Sequence, residues 1–331
     1  MTTPGLDPVD LVPGAVGPAV ADVQHRLQAI GIPTGLDPQG FYGDGTRAAV
    51  ETFQYRRGLR VDGRCGPQTW STLVEAGRRL GDRFLYRHRP MFRGDDVAEL
   101  QQRLSALGFD TGRVDGIFGD TTSRALGEFQ RNVGLPVDGI AGPATLQELL
   151  RLSSRHEQPE LVTAVRDRER LRQSPRTLAG RRVAIGEEGG LDALVTALRR
   201  ILVQRGARVT THHHPDGSVQ AQEANAAGAE VYLGLRLEAK APRFSTAYYE
   251  GYRYASPGGK LLAELLHQDL PTELGILQGE CRGMSLPILR ETRMPAVICE
   301  LGPAAVVVEQ SAILCRGILV ALGRWVGSSW E

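Results

Sequence analysis

Apolar side chains recur at helical spacing near the start of the chain. They fall on one face of a predicted helix and comprise Val20, Val23, Leu27 and Ile30. Gly31 follows directly, at the place where a helix of this length commonly ends. The pattern therefore predicts a short amphipathic helix with one buried face.

The same pattern returns 77 positions later in the chain. The matching apolar positions are Val97, Leu100, Leu104 and Leu107, and Gly108 takes the place of Gly31. Further along, Phe53-Gln54 recurs as Phe129-Gln130, 76 positions later. A repeat with a fixed period indicates one small module that is used twice.

Each repeat contains the signals of three helices. The second helix is predicted over 46–56 in the first repeat and over 122–133 in the second. Asp44 and Asp120 precede these helices and are predicted N-caps, because a carboxylate accepts the free amides of a first turn. A Gly-Pro-x-Thr segment then predicts the start of a third helix in each repeat. We expect two compact three-helix units with Phe53 and Phe129 as their central core aromatics.

From Arg182 onward, strand-like and helical patterns alternate along the chain. The predicted strands are 182–185, a second that begins at 206–210, 231–237 and 295–302. The predicted helices are 194–205, 259–270 and 310–326. This alternation favours an α/β domain with a mostly parallel sheet flanked by helices.

Length and charge limit the classes of function. At 331 residues the chain is longer than one core of ordinary size requires, which suggests two or three domains. The 39 Lys and Arg residues against 38 Asp and Glu residues give a formal charge of +1, so no general attraction to nucleic acid is expected. The sequence has no run of eighteen apolar residues, so no transmembrane segment is expected.

The N-terminal segment and the cysteines both favour the cytoplasm. Residues 1–10 lack the basic and apolar regions of a signal peptide. The four cysteines form no Cys-x-x-Cys motif and are Cys65, Cys281, Cys299 and Cys315. We expect four buried free thiols rather than two disulfides. A cytoplasmic protein is therefore expected, with association to the membrane or the cell wall left open.

Residues 153–181 are highly charged, and they separate the repeats from the α/β pattern. Two interpretations fit this composition: one solvated helix, which is the ordinary one, or a flexible tether. Ser174-Pro175 is expected to end such a helix.

The two repeats resemble the type 1 family of bacterial peptidoglycan-binding domains. The shared motifs are Leu-Gln, Asp-Gly-x-Phe-Gly, Phe-Gln, Gly-Leu, Val-Asp-Gly and Gly-Pro-x-Thr-Trp. The first copy ends in Thr69-Trp70, whereas the second ends in Thr145-Leu146. The resemblance implies binding of murein glycan or stem peptide, without catalysis. The motif residues themselves are interpreted as architectural, since the glycines serve turns and the phenylalanines fill cores.

The chain from Arg182 to the end resembles the zinc-dependent N-acetylmuramoyl-L-alanine amidases of the amidase 3 family. The strongest matching stretches are 286–292 (LPILRET) and 294–302 (MPAVICELG). The resemblance implies a site in which two His and one Glu hold Zn²⁺ and leave an open position for water. A separate Glu of the family handles protons.

At the family's site positions this sequence departs from the pattern. Glu300 aligns with the proton-handling Glu, Glu188 occupies the first His position, and Arg236 occupies the second. A guanidinium has no free lone pair and cannot ligate a cation. Asp192 is the carboxylate nearest to the third ligand position. We therefore predict a pseudo-site in which Arg236 pairs with carboxylates and no metal or cofactor is bound. The alternative is that Arg236 points outward.

Three consecutive histidines, His212, His213 and His214, offer other metal ligands. They follow the predicted second strand. Because successive side chains point in different directions, three adjacent histidines seldom chelate one ion. We expect surface loop residues here.

These expectations divide the chain into an N-terminal tail (1–15), module 1 (16–77), a linker (78–92), module 2 (93–152), a charged linker (153–181) and an amidase-like domain (182–331). The architecture resembles the mycobacterial CwlM-type proteins. That resemblance implies regulation of peptidoglycan synthesis, with peptidoglycan fragments or precursors and a cytoplasmic precursor enzyme as partners.

Two other functions stay open at this point. One is an active zinc-dependent amidase that cuts the bond between N-acetylmuramic acid and L-alanine, with Glu300 as its acid/base. The other is a structural scaffold whose modules contact other proteins.

Overall fold

A computed structural model describes residues 10–153, 162–237, 243–251 and 254–329. The chain forms two compact units, Met1–Thr163 and Ala164–Glu331. Most of the predicted N-terminal tail and residues 154–161 of the charged linker lie outside the described residues. No helix in the described ranges is both long and apolar enough to cross a membrane.

The first unit contains two three-helix modules, as predicted. The helices of module 1 are α1 (Pro18–Ala29), α2 (Asp44–Arg56) and α3 (Pro67–Ala76). Those of module 2 are α4 (Asp95–Ala106), α5 (Asp120–Asn132) and α6 (Pro143–Ser153). Phe53 and Phe129 are fully buried in separate hydrophobic cores, so each module has a core of its own.

The predicted N-caps of α2 and α5 are wrong. Gly43 and Gly119 occupy the cap positions, and Asp44 and Asp120 are the first helical residues. In module 1 the carboxylate of Asp37 takes over the capping task, because it accepts the backbone N–H groups of Gly45 (3.3 Å) and Thr46 (2.6 Å). Burial opposes this charge, but the hydrogen bonds from Thr46 and Gly45 lower the pKa of Asp37 below its ordinary value.

The glutamines of the repeated Phe-Gln motif are buried hydrogen-bonding centres. The Gln54 amide nitrogen lies 2.8 Å from Asp62 Oδ1 and 3.0 Å from Thr69 Oγ1, and its oxygen accepts the Gly63 N–H at 2.9 Å. Gln130 makes the equivalent contacts in module 2. These glutamines fix the Val-Asp-Gly turn to the third helix, which supports an architectural role for the motif.

The charged segment forms helix α7 (Val162–Gln173), so the solvated-helix interpretation holds for these residues. The second unit then follows the α/β pattern. Its strands are β1 (Arg182–Glu187), β2 (Arg208–His213), β3 (Val231–Leu237), β4 (Arg243–Tyr249), β5 (Leu277–Met284) and β6 (Ala296–Leu301). Its helices are α8 (Asp192–Gln204), α9 (Gly217–Ala226), α10 (Pro257–Leu274), α11 (Pro287–Glu291), α12 (Ala304–Glu309) and α13 (Ser311–Gly327).

The six strands form one sheet in the order β2-β1-β3-β6-β4-β5. The neighbours β2-β1, β1-β3 and β3-β6 are parallel, β4 is antiparallel to β6, and β5 is parallel to β4. The predicted mostly parallel sheet is therefore confirmed. Strands β4 and β5 and the short helices α9, α11 and α12 were not predicted.

Side-chain alternation divides this sheet into two different faces. Leu233, Leu235 and Cys299 point into the main hydrophobic core, to which α8, α10 and α13 contribute. Tyr232 and Gly234 point to the opposite face, toward α9 and α11. The carboxyl end of this second face carries the residues of the predicted pseudo-site.

The four cysteines are free thiols. Cys65, Cys299 and Cys315 are buried, but Cys281 is only half-buried, which corrects the expectation of four buried thiols. Burial raises the pKa of Cys65 to about 12, so this thiol stays protonated at neutral pH.

Candidate functional site

Arg236, Glu188 and Glu300 come together at the carboxyl end of the parallel strands. The guanidinium of Arg236 pairs with Glu188 through two nitrogens, with 2.9 Å between Nε and Oε2. Its Nη1 lies 3.6 Å from Oε1 of Glu300. The alternative of an outward-pointing Arg236 does not fit this geometry.

Strand register explains the convergence. Arg236 and Glu300 are register partners on the adjacent parallel strands β3 and β6. Gly186 of β1 pairs with Gly234 of β3, and Glu188 lies two residues beyond Gly186, directly after the strand ends. The three charged side chains thus leave neighbouring strand ends on the same face of the sheet.

The electrostatics of the cluster favour a permanently charged guanidinium. The side chains of Arg236, Glu188 and Glu300 are 22%, 36% and 29% exposed. Burial opposes the charge on Arg236, but the hydrogen bonds and charge of Glu188, aided by Glu300, raise the pKa of the guanidinium above its ordinary value.

Tyr232 closes the space beneath the charged cluster. Its hydroxyl donates to Gln220 Oε1 at 2.6 Å, and both side chains are buried. A Cβ on Gly186 would lie 1.8 Å from that hydroxyl, so only glycine leaves room for the ring. The remaining cavity beside Arg236 measures about 10 Å³, which is the size of one water molecule.

This donor set does not fit the zinc ion that the fold family implies. A zinc site needs neutral imidazoles or anionic ligands around an open position. Here a guanidinium, which offers no lone pair, pairs with both carboxylates that would face the ion.

A second polar group lies on the opposite face of the sheet. Ligand atoms of Glu187, Asp192 and His213 lie within 4.8 Å of one another, a spacing that a cation could bridge. Glu187 and His213 are register partners on β1 and β2, and their side chains are in contact. Sequence reasoning missed this group, because Glu187 and His213 were both placed in loops rather than at strand ends.

Glu187 also has a structural task that accounts for its burial. Its carboxylate accepts the backbone N–H groups of Gly189 at 2.7 Å and Leu191 at 3.4 Å. These bonds hold the short turn between β1 and α8, which begins at Asp192. The contact with His213 adds one more partner to a carboxylate that the turn already requires.

The three histidines point to different partners, as expected. His212 Nδ1 lies 3.0 Å from Glu223 Oε2, and His214 accepts the Asp216 N–H at 2.9 Å. Their placement in a surface loop was wrong for His212 and His213, which end strand β2.

Comparison with known proteins agrees with this architecture. The family described as "Putative peptidoglycan binding domain" matches residues 16–73 and 93–149. The N-acetylmuramoyl-L-alanine amidase CwlM of Mycobacterium tuberculosis is 37% identical over 285 residues, which cover 77% of this chain and 70% of that protein. The chain belongs to the CwlM family.

Two further proteins resemble shorter parts of the chain. A probable N-acetylmuramoyl-L-alanine amidase of Bacillus licheniformis is 34% identical over 157 residues, 42% of this chain and 44% of that protein. Among solved structures, the N-acetylmuramyl-L-alanine amidase Ami1 of Mycobacterium smegmatis superposes with a TM-score of 0.40 at 15% identity, over 46% of this chain and all of that one (100%).

Proposed function

We propose that this protein binds peptidoglycan fragments or precursors and that its amidase-like domain recognises them without hydrolysis. The observation that carries the proposal is the pairing of Arg236 with Glu188 and Glu300. The membership of the N-terminal modules in a peptidoglycan-binding family supports the ligand class.

Metal-assisted hydrolysis of an amide uses an activated water and a positive centre at the carbonyl oxygen. In the related amidases a zinc ion supplies both, because it lowers the pKa of its bound water and polarises the carbonyl. A guanidinium supplies a positive charge and hydrogen-bond donors only. It therefore retains an attraction for the carbonyl or carboxylate groups of a ligand but generates no hydroxide.

Glu300 is also unsuited to its family role in this arrangement. A general base must be free to take a proton from water held against the substrate. The Glu300 carboxylate instead faces Nη1 of Arg236 at 3.6 Å, so it lies against a cation that is covalently part of the chain. We therefore propose a vestigial role for Glu300.

A binding domain without turnover suits regulation. Its occupancy follows the concentration of the ligand, since the ligand is not consumed. We propose that the ligand-bound state acts on an enzyme of precursor synthesis, on the cytoplasmic side, and so adjusts the rate of peptidoglycan synthesis.

The proposal is tested with purified full-length protein and dye-labelled murein sacculi. We expect the protein to sediment with the sacculi and to release no dye above the background of buffer alone. Release of dye that a chelator abolishes, and that Glu300→Ala also abolishes, would contradict the non-hydrolytic part of the proposal. Failure to sediment and to bind soluble muropeptides would contradict the binding part and favour a protein scaffold.

An active amidase is the second candidate, and two observations favour it. The relatives that match are called N-acetylmuramoyl-L-alanine amidases. In addition, Glu187, Asp192 and His213 form a group that could hold a cation. Under this alternative, His213→Ala would abolish the dye release, whereas under the main proposal it changes nothing in that assay.

A further inference from the structure

Module 2 and the segment 78–92, whose Leu85 belongs to the core of this module, together line an open apolar cavity of about 440 Å³. Phe84 and Tyr86 contribute an aromatic wall, and Pro136, Asp138 and Ile140 also line the cavity. We call this cavity the module 2 groove. Its volume falls in the range of sites that bind small molecules.

The aromatic wall of the groove is exposed yet held in place. Phe84 and Tyr86 are 57% and 38% exposed, whereas the core phenylalanines of both modules are fully buried. Leu85, between them, is buried and pairs its backbone with Ala141. A Cβ on Gly142 would lie 3.3 Å from the Phe84 ring, so this glycine lets the ring lie close to the backbone. Rigid, exposed aromatic rings are typical of binding sites.

Among the described residues 10–77, no such aromatic wall lies at the equivalent place of module 1. Its backbone bridge between Leu11 and Cys65 corresponds to the bridge between Leu85 and Ala141. Asp10 therefore takes the place that Phe84 has in module 2. Arg64 takes the place of Ile140, which lies 76 positions further along the chain. These two residues form an ion pair, with 3.4 Å between Arg64 Nε and Asp10 Oδ1. Two charged side chains thus replace two apolar ones.

The charge of the groove restricts its ligand. Hydrogen bonds from the Ile140 N–H and the Gln130 amide lower the pKa of Asp138, so its carboxylate is ionised at neutral pH. The residues that line the groove include no Lys and no Arg. A ligand with free carboxylates meets repulsion here, whereas a neutral ligand with hydroxyl or amide donors meets an acceptor.

We propose that the module 2 groove binds the glycan part of peptidoglycan, namely one N-acetylated disaccharide unit. The apolar C–H faces of the sugar rings stack on Phe84 and Tyr86, and their hydroxyl or N-acetyl N–H groups donate to Asp138. Stem peptides carry free carboxylates and are disfavoured at this place. The inference rests on the proposed function, because it specifies which part of the ligand is bound and which module binds that part.

The test uses full-length protein and two soluble probes, which are the N-acetylglucosaminyl-N-acetylmuramic acid disaccharide blocked as an amide and the free stem peptide. Binding of each is measured by titration calorimetry. We expect the disaccharide to bind and Phe84→Ala to weaken it at least about tenfold, as for other exposed aromatic anchors. Arg64→Ala in module 1 is the matched control and is expected to leave the affinity unchanged.

Each outcome separates the groove from the wider function. If Phe84→Ala keeps both the disaccharide affinity and the melting temperature of the wild type, the groove is not the binding site for the disaccharide. The proposed function would still stand in that case, provided that the wild type sediments with sacculi. If the free stem peptide binds and competes with the disaccharide for the groove that contains Phe84, the assignment of the groove to a saccharide is wrong. As a second variant, Ile140→Arg introduces the module 1 residue and is expected to weaken binding to a similar degree. If that variant also loses stability, the Phe84→Ala result alone decides.

Discussion

Arg236 and Glu300 are register partners on adjacent parallel strands, and their charged groups lie 3.6 Å apart. The register of β3 and β6 thus places a fixed cation opposite the carboxylate that aligns with the proton-handling Glu of the amidase 3 family. Glu188, directly after β1, pairs with the same guanidinium from the other side. A single side chain therefore joins three strand ends at the position where the resemblance to that family implies a metal ion.

Replacement of Arg236 by Ala is expected to destabilise the second unit. The change leaves two partly exposed carboxylates side by side without their common cation. Since the three side chains keep contact with solvent, we expect a loss of about 1 kcal/mol, which lowers the melting temperature by roughly 2–4 °C for a domain of this size. Differential scanning calorimetry at low salt measures the shift.

The matched variant Arg236→Lys keeps the charge but loses the two-nitrogen contact with Glu188. We expect a melting temperature between those of the wild type and the Ala variant. Equal stability of all three proteins would mean that the ion cluster contributes nothing to the fold.

The double variant Glu188→His, Arg236→His is expected to gain zinc affinity. It supplies two neutral imidazoles and removes the guanidinium, and zinc prefers such ligands. We expect binding at least about tenfold tighter than in the wild type, measured by competition with a chelating dye. All variants keep His213, so any zinc binding on the opposite face of the sheet contributes equally to the affinities of the wild type and the variants.

The single variant Glu188→His is the control for this experiment, because Arg236 remains in place. It is expected to bind zinc no better than the wild type. Zinc binding by the single variant as tight as that of the double variant would mean that Arg236 does not exclude the ion.

Gln54→Ala is expected to destabilise module 1 by about 1–3 kcal/mol, because the Gly63 N–H and the Asp62 carboxylate lose a buried partner. Urea unfolding of the full chain, followed by hydrogen exchange of module 1 amides, measures the loss. Gln39 is exposed, and Gln39→Ala is expected to change the stability by less than about 0.5 kcal/mol. Similar effects of the two substitutions would refute the structural role of the motif glutamine.

The stability of the modules is expected to fall in acid. The pKa of Asp37 and that of Asp138 are lower in the folded protein than their ordinary value. Each carboxylate therefore contributes stability that is complete above the unfolded pKa, near pH 4, and is lost as the pH falls through the lower folded pKa. Urea midpoints between pH 7 and pH 2 measure this loss.

The variant Asp138→Asn tests the sign of that pH dependence. An amide does not titrate in this range, so the variant is expected to lose less stability than the wild type between pH 4 and pH 2. A wild type whose stability rises on acidification would contradict the lowered pKa values.

The helical modules were largely predictable from sequence. Their signals are local: apolar positions such as Leu27 and Leu104 recur at helical spacing, and glycines mark the ends. Because the pattern is repeated, each motif position could also be compared between two copies. The N-caps were the exception, because the capping carboxylate of Asp37 comes from outside the helix that it caps.

The second unit was predictable where strands are apolar and central. Strand β3 matched its predicted bounds, since its residues are buried on both faces. Strands β4 and β5 were missed, because they mix small, charged and aromatic residues such as Ser245 and Arg282. The place of β4 beside β6, and of β5 beside β4, depends on pairing between distant segments, which local patterns do not encode.

One part of the candidate site could be reached from the sequence. Alignment of Glu188, Arg236 and Glu300 with family positions pointed to residues far apart in sequence, and the structure brings all three together. The contact between Glu187 and His213 could not be predicted from the sequence, because it depends on the register of β1 with β2. The module 2 groove was also missed, since Phe84 lies outside the repeated motifs.

A guanidinium stands at the position where the resemblance to the amidase 3 family implies a zinc ion. Crystals of the protein soaked in zinc chloride and measured at the zinc absorption edge test this arrangement. We expect no anomalous peak between Glu188 and Glu300, with Arg236 still paired to both. A peak at that position with tetrahedral neighbours, and Arg236 displaced from it, would show that the guanidinium does not exclude the ion.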